Sequence, residues 1–256
     1  MRVTFLGTGS AMPAGDRVQT GLLLERDDRR LLVDCGAGVL QRLSRTDAGY
    51  EGVGTVLLTH HHLDHVADLL PLLKARWLAG EEHLEVLGPS GTKELVDGLL
   101  AVHDYLDGRV ELRVREVPAD ASFEVAGFDV RSRETRHSMP CLAYRFAGDG
   151  DADESRGSGD FVFSGDSEAF PGMARFADGA SVLAHDCSFP DSVDVDNHPT
   201  PTQLGEVLAD CDVSRLYLTH RYPHTDGHET ELVESVRAAG FDGEVEVARD
   251  GLGVEL

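Results

Sequence analysis

The chain has 256 residues, of which 41% are hydrophobic, enough to bury a substantial core and to exclude a disordered chain. Its 46 acidic against 23 basic residues give a net charge of −23, far more carboxylate than an active site uses, so most are expected on the surface. No run approaches the roughly 18 apolar residues that cross a bilayer, and Met1-Arg2-Val3-Thr4-Phe5-Leu6-Gly7 lacks the basic start and long apolar stretch of a secretory signal; a cytoplasmic protein without membrane association is expected.

Taken in chain order, short apolar β-rich runs alternate with helical patterns. Val3–Leu6, Gly21–Glu25 and Leu31–Val33 read as strands, followed by a helix near Val39–Ser44. Thr55–Thr59 is a short buried strand, and Asp64–Leu78 is apolar at helical spacing with a kink expected at Pro71. Leu84–Leu87 is a strand, and Pro89-Ser90 introduces a helix over Gly91–Tyr105. Strands follow at Val110–Val117, Phe128–Arg133, Leu142–Phe146 and Phe161–Phe163, with the acidic, Gly-rich Gly148–Asp160 as an exposed hairpin loop. Ser181–Ala184 and Arg215–Leu218 flank a helix over Gln203–Ala209, and the end reads helix then strand. That middle helix has a marked start: Thr200 as N-cap, Pro201 in the first helical position and Gln203 completing a capping box. The chain carries no internal repeat and is expected to form one α/β domain over residues 1–256.

The charge bears on partners. A strongly acidic surface fits adaptation to high salt, where carboxylates hold a hydration shell and screening removes their repulsion; only two lysines, Lys74 and Lys93, against many arginines is compatible with that. In dilute salt such a surface repels nucleic acid, but in molar salt that objection weakens, so an RNA substrate stays open. Cys35, Cys141, Cys187 and Cys211 are scattered, with no CxxC pair, and are expected as reduced, mostly buried thiols and not as metal ligands.

The strongest chemical signal is Thr59-His60-His61-His62-Leu63-Asp64-His65, directly after a buried strand. His60 and His62 project to one side of an extended segment, while Asp64 and His65 sit at the turn into a helix and can aim at a second point nearby. Three imidazoles and a carboxylate so close together make a poor structural choice without metal. Two ions need more donors, and three residues at strand ends supply them: His137 in Glu134-Thr135-Arg136-His137, Asp166 in Phe163-Ser164-Gly165-Asp166, and His220 in Leu216-Tyr217-Leu218-Thr219-His220. His61, His83, His103, His185, His224 and His228 are read as ordinary histidines, with His224 and His228 near enough to His220 to line a pocket.

The order Asp34, HxHxDH, His137, Asp166, His220 resembles the metallo-β-lactamase fold over nearly the whole chain. Phe5-Leu6-Gly7-Thr8-Gly9-Ser10-Ala11, Leu32-Val33-Asp34-Cys35-Gly36 and Phe163-Ser164-Gly165-Asp166 are similar, more closely, to the tRNase Z branch and its short-form relatives. The resemblance implies a single-domain αββα four-layer sandwich with metals at the sheet edges. It implies one ion on His60, His62 and His137, another on Asp64, His65 and His220, Asp166 bridging, and Asp34 orienting a ligand histidine. Zinc is the expected ion, two per chain, and manganese also fits. Ala184-His185-Asp186-Cys187-Ser188-Phe189 resembles the branch's His-Glu-Ala-Thr-Phe segment, with Asp186 where Glu is usual, and Asn197-His198-Pro199-Thr200 resembles the segment with its non-ligand catalytic histidine. His198, steadied by Asp186, is thus the expected proton donor to a leaving oxygen, and Asp64 is counted with them among the catalytic residues.

A centre holding two divalent ions polarises a substrate oxygen and supplies a nucleophile at neutral pH, which suits in-line displacement at phosphorus. The substrate expected first is a small phosphodiester such as a cyclic nucleotide. The alternative is 3′ processing of tRNA precursors. Proteins of that activity insert a basic, Gly-rich arm between the third and fourth motifs, whereas here only 29 positions separate His137 from Asp166, and the loop between them is acidic. Thioester or lactone hydrolysis and a metal-bound binding protein rank lower, and a β-lactamase of the common type would carry Cys in place of Asp166. A homodimer is compatible with the sequence.

Overall fold

The computed structural model describes residues 1–148, 159–193 and 195–256. Two seven-stranded mixed sheets face one another. The first contains β1 (Arg2–Gly7), β2 (Gly21–Arg26), β3 (Arg29–Val33), β4 (Thr55–Leu57), β5 (His83–Gly88) and β6 (Glu111–Glu116) side by side in chain order. The second contains β7 (Ser122–Val125), β8 (Phe128–Glu134), β9 (Leu142–Phe146), β10 (Phe161–Phe163), β11 (Val182–Asp186), β12 (Arg215–Thr219) and β13 (Glu244–Val247), and the last strand, β14 (Gly253–Glu255), returns to the first sheet beside β1. Helices α1 (Val39–Leu43), α2 (Leu63–Val66), α3 (Leu69–Ala79) and α4 (Thr92–Val102) belong to the first half, and α5 (Pro171–Ala177), α6 (Pro201–Leu208) and α7 (Glu229–Ala238) to the second.

The two-residue period of the strands decides the layering. Leu22, Leu24, Leu57, Phe161, Phe163 and Ala184 turn into a core shared by the two sheets, with Phe128, Tyr144 and Phe146. Their neighbours Leu23, Val56 and Leu58 turn the other way, onto Val39, Leu72 and Val96 of the first set of helices. Val162 and Leu183 pack likewise onto Met173, Leu204 and Val236. Three apolar layers between four layers of secondary structure make the αββα sandwich, in a single domain.

Several expectations are refined. The apolar stretch from Asp64 to Leu78 is broken into α2 and α3, and the break falls before Pro71, not at it. Pro71 lies in the first turn of α3, where its missing N–H is not needed and its ring has no helical carbonyl behind it to strike. The capping box at Thr200 is present: Thr200 Oγ1 accepts from the Gln203 N–H at 3.3 Å and Gln203 Oε1 accepts from the Thr200 N–H at 2.9 Å. β7, α5 and β14 were not expected. β9 and β10 pair antiparallel from Phe146 opposite Phe161, as a hairpin requires, but the loop assigned to 148–160 falls largely on residues 149–158, outside the described ones. Cys35, Cys141 and Cys187 are buried free thiols, and burial pushes all three thiol pKa values up, away from the thiolate a metal needs. Among the described residues no helix is long and apolar enough to cross a membrane.

The acidic residues divide unequally. Among the described residues the fully buried carboxylates are Asp34, Asp64, Asp166 and Asp186. All four belong to the candidate site below, and the other described carboxylates are at least partly in contact with solvent. If that surface is an adaptation to salt, the melting temperature falls as KCl is lowered from molar to dilute, because carboxylate repulsion is then unscreened. A melting temperature that stays flat or rises on dilution overturns the adaptation.

Candidate metal centre

The expected metal donors, with Asp34 and Asp186, lie at strand ends or in the segments that directly follow them, and His198 stands in the loop before α6. Asp34 follows β3, His60 and His62 follow β4, Asp64 and His65 open α2, His137 lies between β8 and β9, Asp166 follows β10, Asp186 ends β11 and His220 follows β12. The backbone is bent sharply to place them: Asp34, Gly165 and His220 have φ of 60°, 58° and 55°. At Gly165 only glycine fits, since a Cβ there would stand 2.9 Å from the Thr59 Cβ.

The donor atoms converge into two adjoining groups. His62 Nδ1 lies 3.1 Å from both His60 Nε2 and His137 Nε2, and Asp166 Oδ2 lies 3.7 Å from His60 Nε2 and 3.9 Å from His137 Nε2. On the other side His220 Nε2 is 3.1 Å from Asp64 Oδ2, and His65 Nε2 is 3.8 Å from the same oxygen. Asp166 faces this group too, with Oδ1 3.3 Å from His65 Nε2 and Oδ2 3.3 Å from His220 Nε2. Around a tetrahedral ion with nitrogens at about 2.0–2.1 Å, neighbouring ligand atoms lie about 3.3 Å apart, the spacing seen here. Two of these atoms, His65 Nε2 and Asp166 Oδ1, are buried without a hydrogen-bond partner, as donors waiting for a cation are. The residues present therefore fit a divalent metal.

Hydrogen bonds behind the donors fix their tautomers. Asp34 Oδ2 accepts from His65 Nδ1–H at 2.8 Å and from the Thr59 hydroxyl at 2.9 Å, while its Oδ1 accepts the Thr59 N–H at 2.7 Å. The Thr59 oxygen in turn accepts from His60 Nδ1–H at 3.0 Å. Asp34 thus turns the Nε2 lone pairs of two histidines, one directly and one through Thr59, toward the centre. Ser188 plays the same part for His220: its oxygen accepts from His220 Nδ1–H at 3.0 Å and its hydroxyl donates to Asp186 Oδ1 at 2.7 Å. Neither Thr59 nor Ser188 was singled out from sequence, although both stand inside quoted motifs.

Asp186 has a second duty. His198 Nδ1–H donates to its Oδ2 at 2.6 Å, so the shorter arm of Asp reaches the histidine that Glu serves in the resembling segment. Asp186 and His198 also lie close to Asp166 and His220 as a formal donor group. Both Asp186 oxygens already accept hydrogen bonds, Oδ2 from the His198 N–H and Oδ1 from the Ser188 O–H. With Nδ1 committed, Nε2 is the nitrogen from which His198 can deliver a proton. Burial opposes charge on His198, but Asp186 outweighs it and lifts the histidine above its usual value. Asp186, despite its own burial, is held down to about 2 chiefly by His198.

The remaining shifts follow position. Burial lowers His60, His62 and His137, which keeps them neutral and able to donate lone pairs. Burial opposes charge on His65 as well, yet Asp166 and Asp34 raise it to about 10. Asp166 is driven well below the usual carboxylate range, against its burial, by His220, His65 and His60. These are the features of a pocket with more carboxylate and imidazole than protons to satisfy them, and binding of a cation there releases protons.

Of the histidines read as ordinary, His61 points away and hydrogen-bonds Thr92 Oγ1 at 2.8 Å, and His228 pairs with Glu231 on the surface. His224 does approach the site, through the rings of Phe189 and Tyr222, at 5.3 and 6.5 Å.

Fold and site together define a metal-dependent hydrolase. A family profile described as "Beta-lactamase superfamily domain" matches residues 29–221. The "Ribonuclease Z" of Mycobacterium marinum is 30% identical over 283 aligned positions, which take in 100% of this chain and 99% of the relative. Among solved structures, the metallo-β-lactamase fold protein YhfI from Bacillus subtilis has a TM-score of 0.82 at 26% identity, covering 100% of this chain and 99% of that one. Human tRNase Z, short form, shares the fold with a TM-score of 0.77 at 21% identity, covering 100% and 99%. The chain belongs to the metallo-β-lactamase superfamily, in its tRNase Z-like short-form branch.

Proposed function

We propose that the chain is a tRNase Z-type endoribonuclease, a phosphodiesterase that cleaves precursor tRNA with two zinc ions. His60, His62 and His137 would hold one ion, Asp64, His65 and His220 the other, and Asp166 both. Bound there, the metal would neutralise charge on the phosphoryl oxygens and lower the pKa of water. His198, carried by Asp186, protonates the departing oxygen through Nε2, and Asp34, Thr59 and Ser188 hold the donor rings in place. The observation that carries the reading is the pairing of His198 with Asp186 beside this centre, in a chain that aligns end to end with a relative named Ribonuclease Z. That alignment moves the weight from the small diester, expected first from sequence, to RNA.

A small phosphodiester remains the second reading, and a specific observation favours it. Between Ser138 and Gly165 the cations are Arg145 and Arg156. Arg145 is buried and engaged with Asp160 at 2.6 Å and with the carbonyls of Phe176 and Asp178, so it does not serve a phosphate; Arg156 lies outside the described residues. A tRNA would thus be gripped by another surface. The test is side-by-side assay of precursor tRNA and bis(p-nitrophenyl) phosphate in molar KCl. Cleavage at the tRNA 3′ boundary is expected. Hydrolysis of the small diester with only weak, unselective RNA cleavage would replace the proposal with the second reading.

A further inference from the structure

One side of the centre is aromatic, and the metal chemistry has no use for it. Phe189 and Tyr222 stack at 4.6 Å with their planes 22° apart, and His224 lies 5.3 Å from Phe189. The group touches both halves of the site: Tyr222 lies 6.0 Å from His220 and 6.0 Å from His198, and Phe189 lies 6.0 Å from His198. Phe189 is buried, so it fixes the plane of Tyr222 from behind, while Tyr222 is half-buried and His224 exposed. The backbone is set as well. The Tyr222 N–H donates to the Ser188 carbonyl, and the N–H and hydroxyl of Thr225 both donate to the Tyr222 carbonyl. A ring held this firmly loses little freedom when something stacks on it.

We propose that Phe189, Tyr222 and His224 form a stacking wall for a nucleobase, that of the nucleoside whose 3′ oxygen departs. This rests on reading the centre as a diesterase with His198 on the leaving side. Because the wall adjoins His198, whatever is attached to the oxygen that His198 protonates lies against it. Aromatic rings beside a phosphodiester site recognise the flat face of a base, and do so without charge. That matters in a chain of net charge −23, where phosphate-gripping cations are scarce. Salt weakens phosphate contacts steeply. Stacking keeps its strength in molar salt and supplies affinity that the acidic surface cannot.

The test is calorimetric titration of the metal-loaded protein in molar KCl with adenosine 3′-monophosphate, with the same sugar phosphate lacking a base, and with adenosine 5′-monophosphate. The 3′ nucleotide should bind roughly 5- to 150-fold more tightly than the base-free compound, the range that single aromatic stacks contribute. Tyr222→Ala should close most of that gap and Tyr222→Phe should keep it, each variant first being checked for unchanged metal content. Equal affinities in the unaltered protein overturn the wall, as does a gap that survives in both Tyr222→Ala and His224→Ala. Tighter binding of the 5′ nucleotide overturns the assignment to the leaving side. A base-dependent gap without precursor-tRNA cleavage keeps the wall and removes the RNA reading, and cleavage without a gap does the reverse.

Discussion

Asp166→Ala should leave a folded protein with little metal at either position, whereas His220→Ala should empty mainly one. The difference comes from geometry: the Asp166 carboxylate stands within 3.9 Å of His60 and His137 on one side and 3.3 Å from His65 and His220 on the other. His220 Nε2 stands 3.1 Å from Asp64 and 3.3 Å from Asp166, in the second group. Losing Asp166 also removes the negative charge that four imidazoles share, so a cation entering afterwards meets nitrogens without a counter-charge. Elemental analysis of the purified proteins should give about two zinc ions per unaltered chain, about one for His220→Ala and well under one for Asp166→Ala. Asp34→Asn is a graded control, because it disturbs only the support of His65 and Thr59. Its effect should be a roughly 10–100-fold loss of affinity, not loss of the site. A full metal complement in Asp166→Ala would falsify the shared position.

How much of this was legible in the sequence depended on how local each signal is. His60, His62, Asp64 and His65 crowd into one short segment, Asp166 and His220 follow apolar strands, and His137 follows an alternating one, so pattern marked them. The two sheets were legible in outline because buried runs such as Leu31–Val33 and Phe161–Phe163 are strongly apolar. β7 was not, since Ser122, Phe123, Glu124 and Val125 form an edge strand of mixed exposure with no apolar run. α5 has only seven residues and opens on Pro171-Gly172, too short a run for a helical period to show. β14 owes its existence to pairing with β1 at the far end of the chain, a contact no local window contains. The same reason hid the Thr59 and Ser188 hydrogen bonds and the aromatic wall. Thr59 matters because β3 brings Asp34 beside it, and Phe189 because the turn after β12 lays Tyr222 on it. The motifs located the donors, and tertiary contact decided which groups hold and surround them.

His198→Ala should lower turnover of a diester with an alkoxide leaving group roughly 10²–10⁴-fold while leaving metal content intact. His198 Nδ1 is spent on Asp186, and its ring stands 5.5 Å from that of His220, close to the centre. A nitrophenolate needs no proton to depart, so bis(p-nitrophenyl) phosphate should suffer far less in the same variant. The pH dependence gives a second, independent sign. Asp186 lifts His198 above its usual value, so the protonated acid persists to higher pH than a free histidine would allow. Asp186 itself, held near 2, stays charged throughout the working range. Asp186→Asn removes that lift, and the alkaline limb of kcat/KM for the alkoxide substrate should move to lower pH. Ser188→Ala tests the metal side of the arrangement, because it removes the oxygen that supports His220 at 3.0 Å while the Asp186 carboxylate keeps its 2.6 Å contact with His198. It should weaken metal binding and leave the alkaline limb where it was. If His198→Ala slows both leaving groups equally, or sheds metal, the histidine is structural support for the centre and the proton comes from elsewhere.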